Sequence, residues 1–294
     1  MESHGYDLLL HLESFTLALI HNPITQDDVI YFIVTDRFFG ANKKAASVAD
    51  TSIHGGTLDG ILQKLDYLKD LGITAIWVTP VYENIDRHES AEPYHYYWPK
   101  NFAKIDQRLL DGTALTKSPD ISKFGDFVDR CEQHGIKVIL DMVVNHCGYG
   151  AESSFPPPFF NHGAGEVQGS LAGLPDFDHD NPEVIDFFIQ NIKSWITAGK
   201  VSSIRMDTAK HVESKFWHYF KSQIAGEYPD VFMVGEILIE DIAQVNELVK
   251  YQNFHDFNSI FDFPRSRPLQ WCKTPGLSPG VAGAELITTP SSSA

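Results

Sequence analysis

The sequence predicts an α/β fold: a (β/α)8 TIM-type barrel, incomplete, with about six strands present and a long irregular insertion after the third. Three observations carry this expectation. Buried apolar runs alternate with amphipathic helical segments, the pattern of a parallel sheet covered by helices. Polar residues stand at the C-terminal tips of successive strands, at Asp36, Asn145, Asp207 and Glu236, which is where a barrel gathers its site. The glycine motifs GxGxxG and GxxxxGK, which would favour a doubly wound nucleotide-binding sheet, are absent.

Taken in order, Val29 to Thr35 (VIYFIVT) is β-branched and aromatic without helical period, so it reads as a buried strand ending at Asp36-Arg37-Phe38. Leu58, Ile61, Leu62, Leu65, Leu68 and Leu71 recur every three or four residues and predict one helix, stopped by Gly72. Ile73 to Val78 is a second strand. From Tyr82 to Pro119 periodicity is lost and a long functional loop is expected, with aromatic and polar residues crowded at Tyr94-His95-Tyr96-Tyr97-Trp98. Phe124, Phe127, Val128 and Cys131 mark a helix face, and Ile136 to Val144 a third strand tipped by Asn145-His146. After an irregular stretch rich in Gly, Pro and Phe, Asn181-Pro182 opens a helix running from Glu183 to Ala198. A strand over Ser203 to Asp207, a helix over Ser214 to Glu227, a strand over Val231 to Val234, a helix over Ile242 to Tyr251 and a strand over Ser259 to Phe263 follow. The expected segments are an N-terminal stretch 1–28, barrel 29–146, insertion 147–181, barrel 182–264 and a Pro- and Ser-rich tail 265–294 expected to be disordered.

At 294 residues, with 43% apolar and 21% charged residues, the chain has the composition of a soluble globular protein. Its formal charge of −16 argues against nucleic acid or an anionic membrane as partner and leaves a neutral ligand such as a sugar open. Cys131, Cys147 and Cys272 form neither a disulfide framework nor a zinc spacing. No stretch reaches membrane-spanning length, and residues 1–22 lack a basic n-region and a small-residue cleavage site. A cytoplasmic location is therefore expected, with secretion open if the N-terminus is incomplete; the oligomeric state is not read from the sequence.

The chemistry concentrates at Ser203-Ile204-Arg205-Met206-Asp207-Thr208-Ala209-Lys210-His211. On a strand Arg205 and Asp207 share a face, and a carboxylate beside a guanidinium stays ionised, which suits a nucleophile. A structural ion pair at a strand end is the alternative reading of those two residues.

Five blocks in order now carry a resemblance: Tyr94 to Trp98, Asp141-Met142-Val143-Val144-Asn145-His146, Leu174-Pro175-Asp176-Phe177-Asp178, Arg205 to His211, and Val234-Gly235-Glu236. Together, over about Val29 to Pro264, they resemble the α-amylase family of glycoside hydrolases, family 13. The resemblance implies Asp207 as nucleophile and Glu236 as acid/base of a retaining pair acting on α-1,4-glucans such as starch and maltooligosaccharides. It implies Tyr97 and His146 at the cleaved sugar, Lys210 and His211 on the leaving-group side, Arg205 beside the nucleophile, and His95 as either a sugar contact or packing behind one. It also implies a Ca2+ ion on Asn145, Asp176 and the carbonyl of His211, since hard cations take oxygen ligands. An α-glucosidase, a cyclomaltodextrinase or a transglycosylase of the same family are the alternatives, and an inactive carbohydrate-binding remnant is the alternative of another class.

Two departures from the family pattern bear on these expectations. Ser203 stands where the family usually has glycine. The Asn-His-Asp block that supplies a third carboxylate has no counterpart after Glu236. Together with the change of character after Pro264, this absence predicts a fragment with reduced or no activity.

Overall fold

The computed structural model describes residues 22–40, 50–110, 120–239, 241–244, 246, 248, 251, 256–263 and 287–288. The first strand, β1 (Ile30–Ile33), runs into a single helical turn, α1 (Thr35–Phe38), where the sequence suggests only a strand end. The predicted helix over 58–71 is two helices, α2 (Leu58–Leu62) and α3 (Leu65–Asp70), separated at Gln63-Lys64. Its apolar spacing is kept across the break, so Leu58, Ile61, Leu65 and Leu68 are all buried. Gly72 ends α3 in the left-handed region (φ 79°), with Ile73 N–H bonded back to the Leu68 carbonyl.

Strand β2 (Ala75–Val78) follows, and then the largest correction to the sequence reading. Within 82–110 the structure holds an antiparallel pair, β3 (Tyr82–Asn84) and β4 (Pro99–Ile105), with two register shifts between them. Those irregularities break the two-residue alternation that would have announced strands. Residues 111–119 of the expected loop lie outside the described residues. Helix α4 (Ser122–Gln133), β5 (Lys137–Met142), α5 (Pro182–Thr197), β6 (Ser203–Met206), α6 (Ser214–Glu227) and β7 (Phe232–Gly235) lie within a few residues of their predicted spans. Of the helix expected over 242–251, a 3₁₀ turn at Ile242–Gln244 is described, and much of the remainder lies outside the described residues. Strand β8 (Ser259–Phe261) is joined antiparallel by β9 (Ile287–Thr288), a pairing that the expectation of a disordered tail did not include. The rest of 265–294 lies outside the described residues.

The six strands β1-β2-β5-β6-β7-β8 are hydrogen bonded in that order, each pair parallel. They curl. Trp77 of β2 and Phe261 of β8 stack with ring centroids 5.3 Å apart, although four strand spacings separate their strands, about 19 Å in a flat sheet. Six parallel strands curled in this way form most of a (β/α)8 barrel.

Side-chain alternation divides the core into two parts. Ala75, Trp77, Ile139, Val234 and Phe261 pack with Ile24 inside the arc, while Ile76, Val78, Val138, Leu140, Ile204 and Met233 pack outward against the helices. Ser203 also faces inward: it is fully buried and its Oγ accepts the Ile24 backbone N–H at 2.9 Å, anchoring the chain entry to β6. The insertion after β5 is held by a phenylalanine cluster in which Phe155 and Phe177 meet Phe102 of β4, and Phe159 meets Phe187 of α5.

Candidate active site

Alternation along the strands sends Asp141 of β5, Arg205 of β6 and, one step past the β6 end, Asp207 into the mouth of the arc. Asp141 and Arg205 are register partners, and the ladder continues beyond the strands through Asp207 N–H to the Met142 carbonyl and Glu236 N–H to the Met206 carbonyl. Consecutive strand tips thereby place Asp207 and Glu236 side by side. Gly235 permits the approach, because a Cβ there would lie 2.8–2.9 Å from the Phe257 ring.

Arg205 organises the centre. Its Nη1 donates to Asp141 Oδ1 (2.9 Å) and Asp207 Oδ1 (2.6 Å), and its Nη2 pairs with Glu236 Oε1 (2.6 Å). The two strand-tip carboxylates are therefore separated by no more than two hydrogen bonds and the width of one guanidinium. Burial alone would lower the Arg205 pKa, but Asp141, Tyr97, Asp207 and Glu236 raise it well above its ordinary value, so its charge is fixed. Burial, helped by the charge on Asp207, raises the Glu236 carboxyl, and Arg205 only partly opposes this. The other oxygen of Glu236 accepts the N–H of Thr208, a residue held in the left-handed region at φ 49°. Both carboxylates thus share one permanent cation, and Glu236 is biased toward its protonated form.

Asp141, which the sequence reading quoted in a motif but gave no role, is central to the structure. It is fully buried and accepts from Trp77 Nε1 (2.9 Å) and Tyr97 OH (2.6 Å) as well as from Arg205. Burial pushes its carboxyl up to about 7 against the pull of Arg205. Tyr97 is half-buried, and its phenol is raised well above its usual pKa, first by burial and then by Asp141. His95 lies behind Tyr97, where its Nδ1 accepts the Tyr97 backbone N–H at 2.9 Å and its ring meets Trp98 edge-on. Burial lowers the His95 pKa to about 4, and the ring is neutral at pH 7.

The insertion returns to the barrel through backbone pairing. Cys147 N–H bonds to the Pro175 carbonyl, Phe177 N–H to the Asn145 carbonyl, and His146 bridges to Asp176. This pairing brings together all three oxygen-bearing residues named from the sequence. The Asn145 amide contacts Asp176 Oδ1 at 2.7 Å and the His211 carbonyl at 3.1 Å, while Asp176 Oδ2 is buried with no hydrogen-bond partner. Burial pushes Asp176 up to about 7, with Glu213 and Asp178 adding to the effect and Asn145 opposing it, as befits a buried carboxylate without a cation.

His146 gives an independent test of fit. Burial lowers its pKa to about 4, so it is neutral, and its Nε2 faces the Tyr97 carbonyl at 3.1 Å and must carry the proton. Its Nδ1 is then an acceptor, yet it faces Asn145 Oδ1 at 3.2 Å. As placed, the Asn145 NH2 donates to Asp176 Oδ1 and to the His211 carbonyl; turning the amide over relieves the Nδ1 contact but sets its oxygen against those two acceptors, which a cation among them would offset. The amide oxygen then joins the Asp176 carboxylate and the His211 carbonyl, a donor set suited to a hard cation. Among the described residues no group of three or more His, Cys, Asp and Glu side chains could hold a metal.

Lys210 and His211 occupy a 3₁₀ turn just past Asp207, and both engage Glu166 of the insertion. All ten residues singled out from the sequence thus lie around one mouth, joined by Asp141, Trp77, Thr208 and Glu166, which the sequence reading did not assign.

Adjacent strand tips of the curled parallel sheet thus carry two carboxylates on one arginine, side chains of the kind that a carboxylate-pair glycoside hydrolase uses. Residues 32–155 match the family model for the alpha amylase catalytic domain. The chain belongs to the α-amylase family. It is 31% identical over 257 residues to Alpha-amylase mde5 of Schizosaccharomyces pombe, covering 80% of this chain and 46% of that one. To a cyclomaltodextrinase of Thermoanaerobacter pseudethanolicus it is 28% identical over 282 residues, covering 83% and 46%. Among solved structures, an Anoxybacillus α-amylase superposes with a TM-score of 0.69 at 33% identity, covering 83% of this chain and 53% of that one. The Geobacillus thermoleovorans α-amylase in complex with acarbose gives 0.70 at 30%, with coverage of 83% and 53%. The chain spans about half the length of the relatives it matches.

Proposed function

We propose that this chain acts as a retaining glycoside hydrolase on α-1,4-linked glucans, starch and maltooligosaccharides, with activity reduced or lost for want of the Asn-His-Asp block that supplies a third carboxylate after Glu236. The observation that carries the reading is the sharing of Arg205 by Asp207 and Glu236. Retaining pairs stand about 5–5.5 Å apart and inverting pairs about 6.5–9.5 Å, and the anomer of the product distinguishes the two. Asp207, held on Arg205 Nη1 at 2.6 Å, attacks the anomeric carbon. Glu236, raised by burial, gives its proton to the leaving glycosidic oxygen and later removes a proton from the water that releases the sugar. Tyr97 stacks on the cleaved sugar with its hydroxyl fixed on Asp141, while His146 packs at the β5 tip against the Tyr97 carbonyl and His95 supports the Tyr97 N–H. Lys210 and His211 serve the leaving-group side.

Asn145, Asp176 and the His211 carbonyl would hold Ca2+. The ion would supply positive charge that ties the insertion to β5 and to the turn after Asp207, and no chemical step passes through it.

The test compares wild type with Asp207→Asn and Glu236→Gln on soluble starch and maltoheptaose, following product anomers by NMR. Release of the α-anomer by wild type, with a loss of at least about 10²-fold in each variant, is expected. Release of the β-anomer, or variants as active as wild type, would sink the assignment.

A further inference from the structure

Glu166 lies in the insertion, about forty residues before the turn that it contacts, and it holds both members of the Lys210-His211 pair. Its carboxylate Oε1 is 2.5 Å from Lys210 Nζ, and its backbone carbonyl is 2.9 Å from His211 Nδ1. A carbonyl only accepts, so His211 Nδ1 carries a proton. Glu166 therefore orients the His211 ring through its backbone and restrains the Lys210 ammonium, a donor for sugar hydroxyls, through its carboxylate. The loop that presents it is closed tightly by glycines. A Cβ on Gly163 would lie 2.7 Å from the Gln168 carbonyl, and one on Gly169 would lie 2.6 Å from the Gly165 carbonyl. Gly165 itself sits at φ 105°. These approaches hold the Glu166 turn in a defined shape and present its carboxylate, which is exposed, at the rim of the site.

We propose that Glu166 is a positioning residue that sets the specificity of the leaving-group side, acting through Lys210. Its carboxylate restrains a long side chain that would otherwise sample many rotamers, and so decides which sugar of a bound α-glucan the ammonium can reach. This rests on the reading of Lys210 and His211 as leaving-group contacts, and the experiment separates the two.

Bond-cleavage frequencies on reducing-end-labelled maltoheptaose are measured for wild type, Glu166→Ala, Glu166→Gln, Lys210→Ala and the double variant Glu166→Ala/Lys210→Ala. Exposed ion pairs contribute about 0.2–1 kcal/mol, so Glu166→Ala should shift the ratio of neighbouring cleavages by roughly 1.5- to 5-fold with kcat little changed, and Glu166→Gln by less. The double variant should match Lys210→Ala alone, because Glu166 acts through that lysine. Additive shifts, or an unchanged cleavage pattern in Glu166→Ala, would overturn the proposal while leaving the hydrolase reading intact. Hydrogen exchange supplies a readout independent of activity: amides of residues 163–169 should exchange faster in Lys210→Ala than in wild type. Wild type that neither binds nor cleaves maltoheptaose would remove the hydrolase reading and the specificity role with it, while the exchange result would still decide whether the tie exists.

Discussion

Replacing Asp141 by asparagine changes one atom type at a fully buried position and tests whether the site is built on charge. The carboxylate accepts from three donors, Arg205 Nη1, Trp77 Nε1 and Tyr97 OH. Asparagine offers one acceptor oxygen and one NH2. If its NH2 turns toward Arg205, two donors oppose each other; if it turns the other way, it meets the indole N–H of Trp77. Either way one buried donor loses its partner, at about 1–3 kcal/mol, and a charge-assisted bond is weakened by a further 1 kcal/mol or so. Relief of the burial that pushes Asp141 up to about 7 offsets part of this. The net expected loss is about 1–3 kcal/mol, or roughly 2–12 °C in Tm for a large domain. Urea unfolding followed by tryptophan fluorescence reads the loss, and kinetics on maltoheptaose should show kcat falling more than KM rises, because Tyr97 and Arg205 lose their fixed orientation. A variant within about 0.5 kcal/mol of wild type and with unchanged kcat/KM would refute the argument that Asp141 orders the site.

Gly235→Ala should cost about 1–3 kcal/mol by overpacking against Phe257, and activity should fall with it because Glu236 is the next residue; an unshifted Tm would show that the ring yields freely. The pH dependence of Glu236 has a defined sign. Its folded pKa is raised above the ordinary value of 4.5, so its contribution to stability is full below that value and is lost as pH rises through the folded pKa. The Tm of Glu236→Gln relative to wild type should therefore climb with pH from about 4.5 upward, and a difference independent of pH would contradict the raised pKa. Calcium should raise the Tm of wild type, by about 2.7 kcal/mol of added stability at a hundred times Kd, and should leave Asp176→Asn nearly unmoved; equal shifts in both would place the ion elsewhere.

What could be read in advance was whatever the chain encodes within ten or so residues. The parallel strands declared themselves because a strand buried on both faces needs an unbroken apolar run, as in Ile73 to Val78, and α5 because Asn181-Pro182 caps it, the Asn181 side chain accepting from Glu183 N–H. The β3 and β4 pair was hidden by its two register shifts, and the break between α2 and α3 by an apolar spacing that continues across it. Glu166 gave no local sign, since its partners lie about forty residues away and its own loop has no period.

Asp141 is different, because its signal was present. A carboxylate in the middle of Ile136 to Val144, a run otherwise apolar but for Lys137, cannot lie buried without a partner. Lys137, four positions back, opens the strand at its opposite end and pairs with Asp28. Arg205, one strand over, is the cation the structure supplies, and register makes the two direct neighbours. The same guanidinium had already been read as the partner of Asp207 two residues on. Counting the carboxylates that must be buried against the cations able to reach them would have joined Asp141, Arg205 and Asp207 into one network before any coordinates were known. A buried charge in a strand interior therefore locates a site by the partner it requires, whereas a charge at a strand tip locates one only by position.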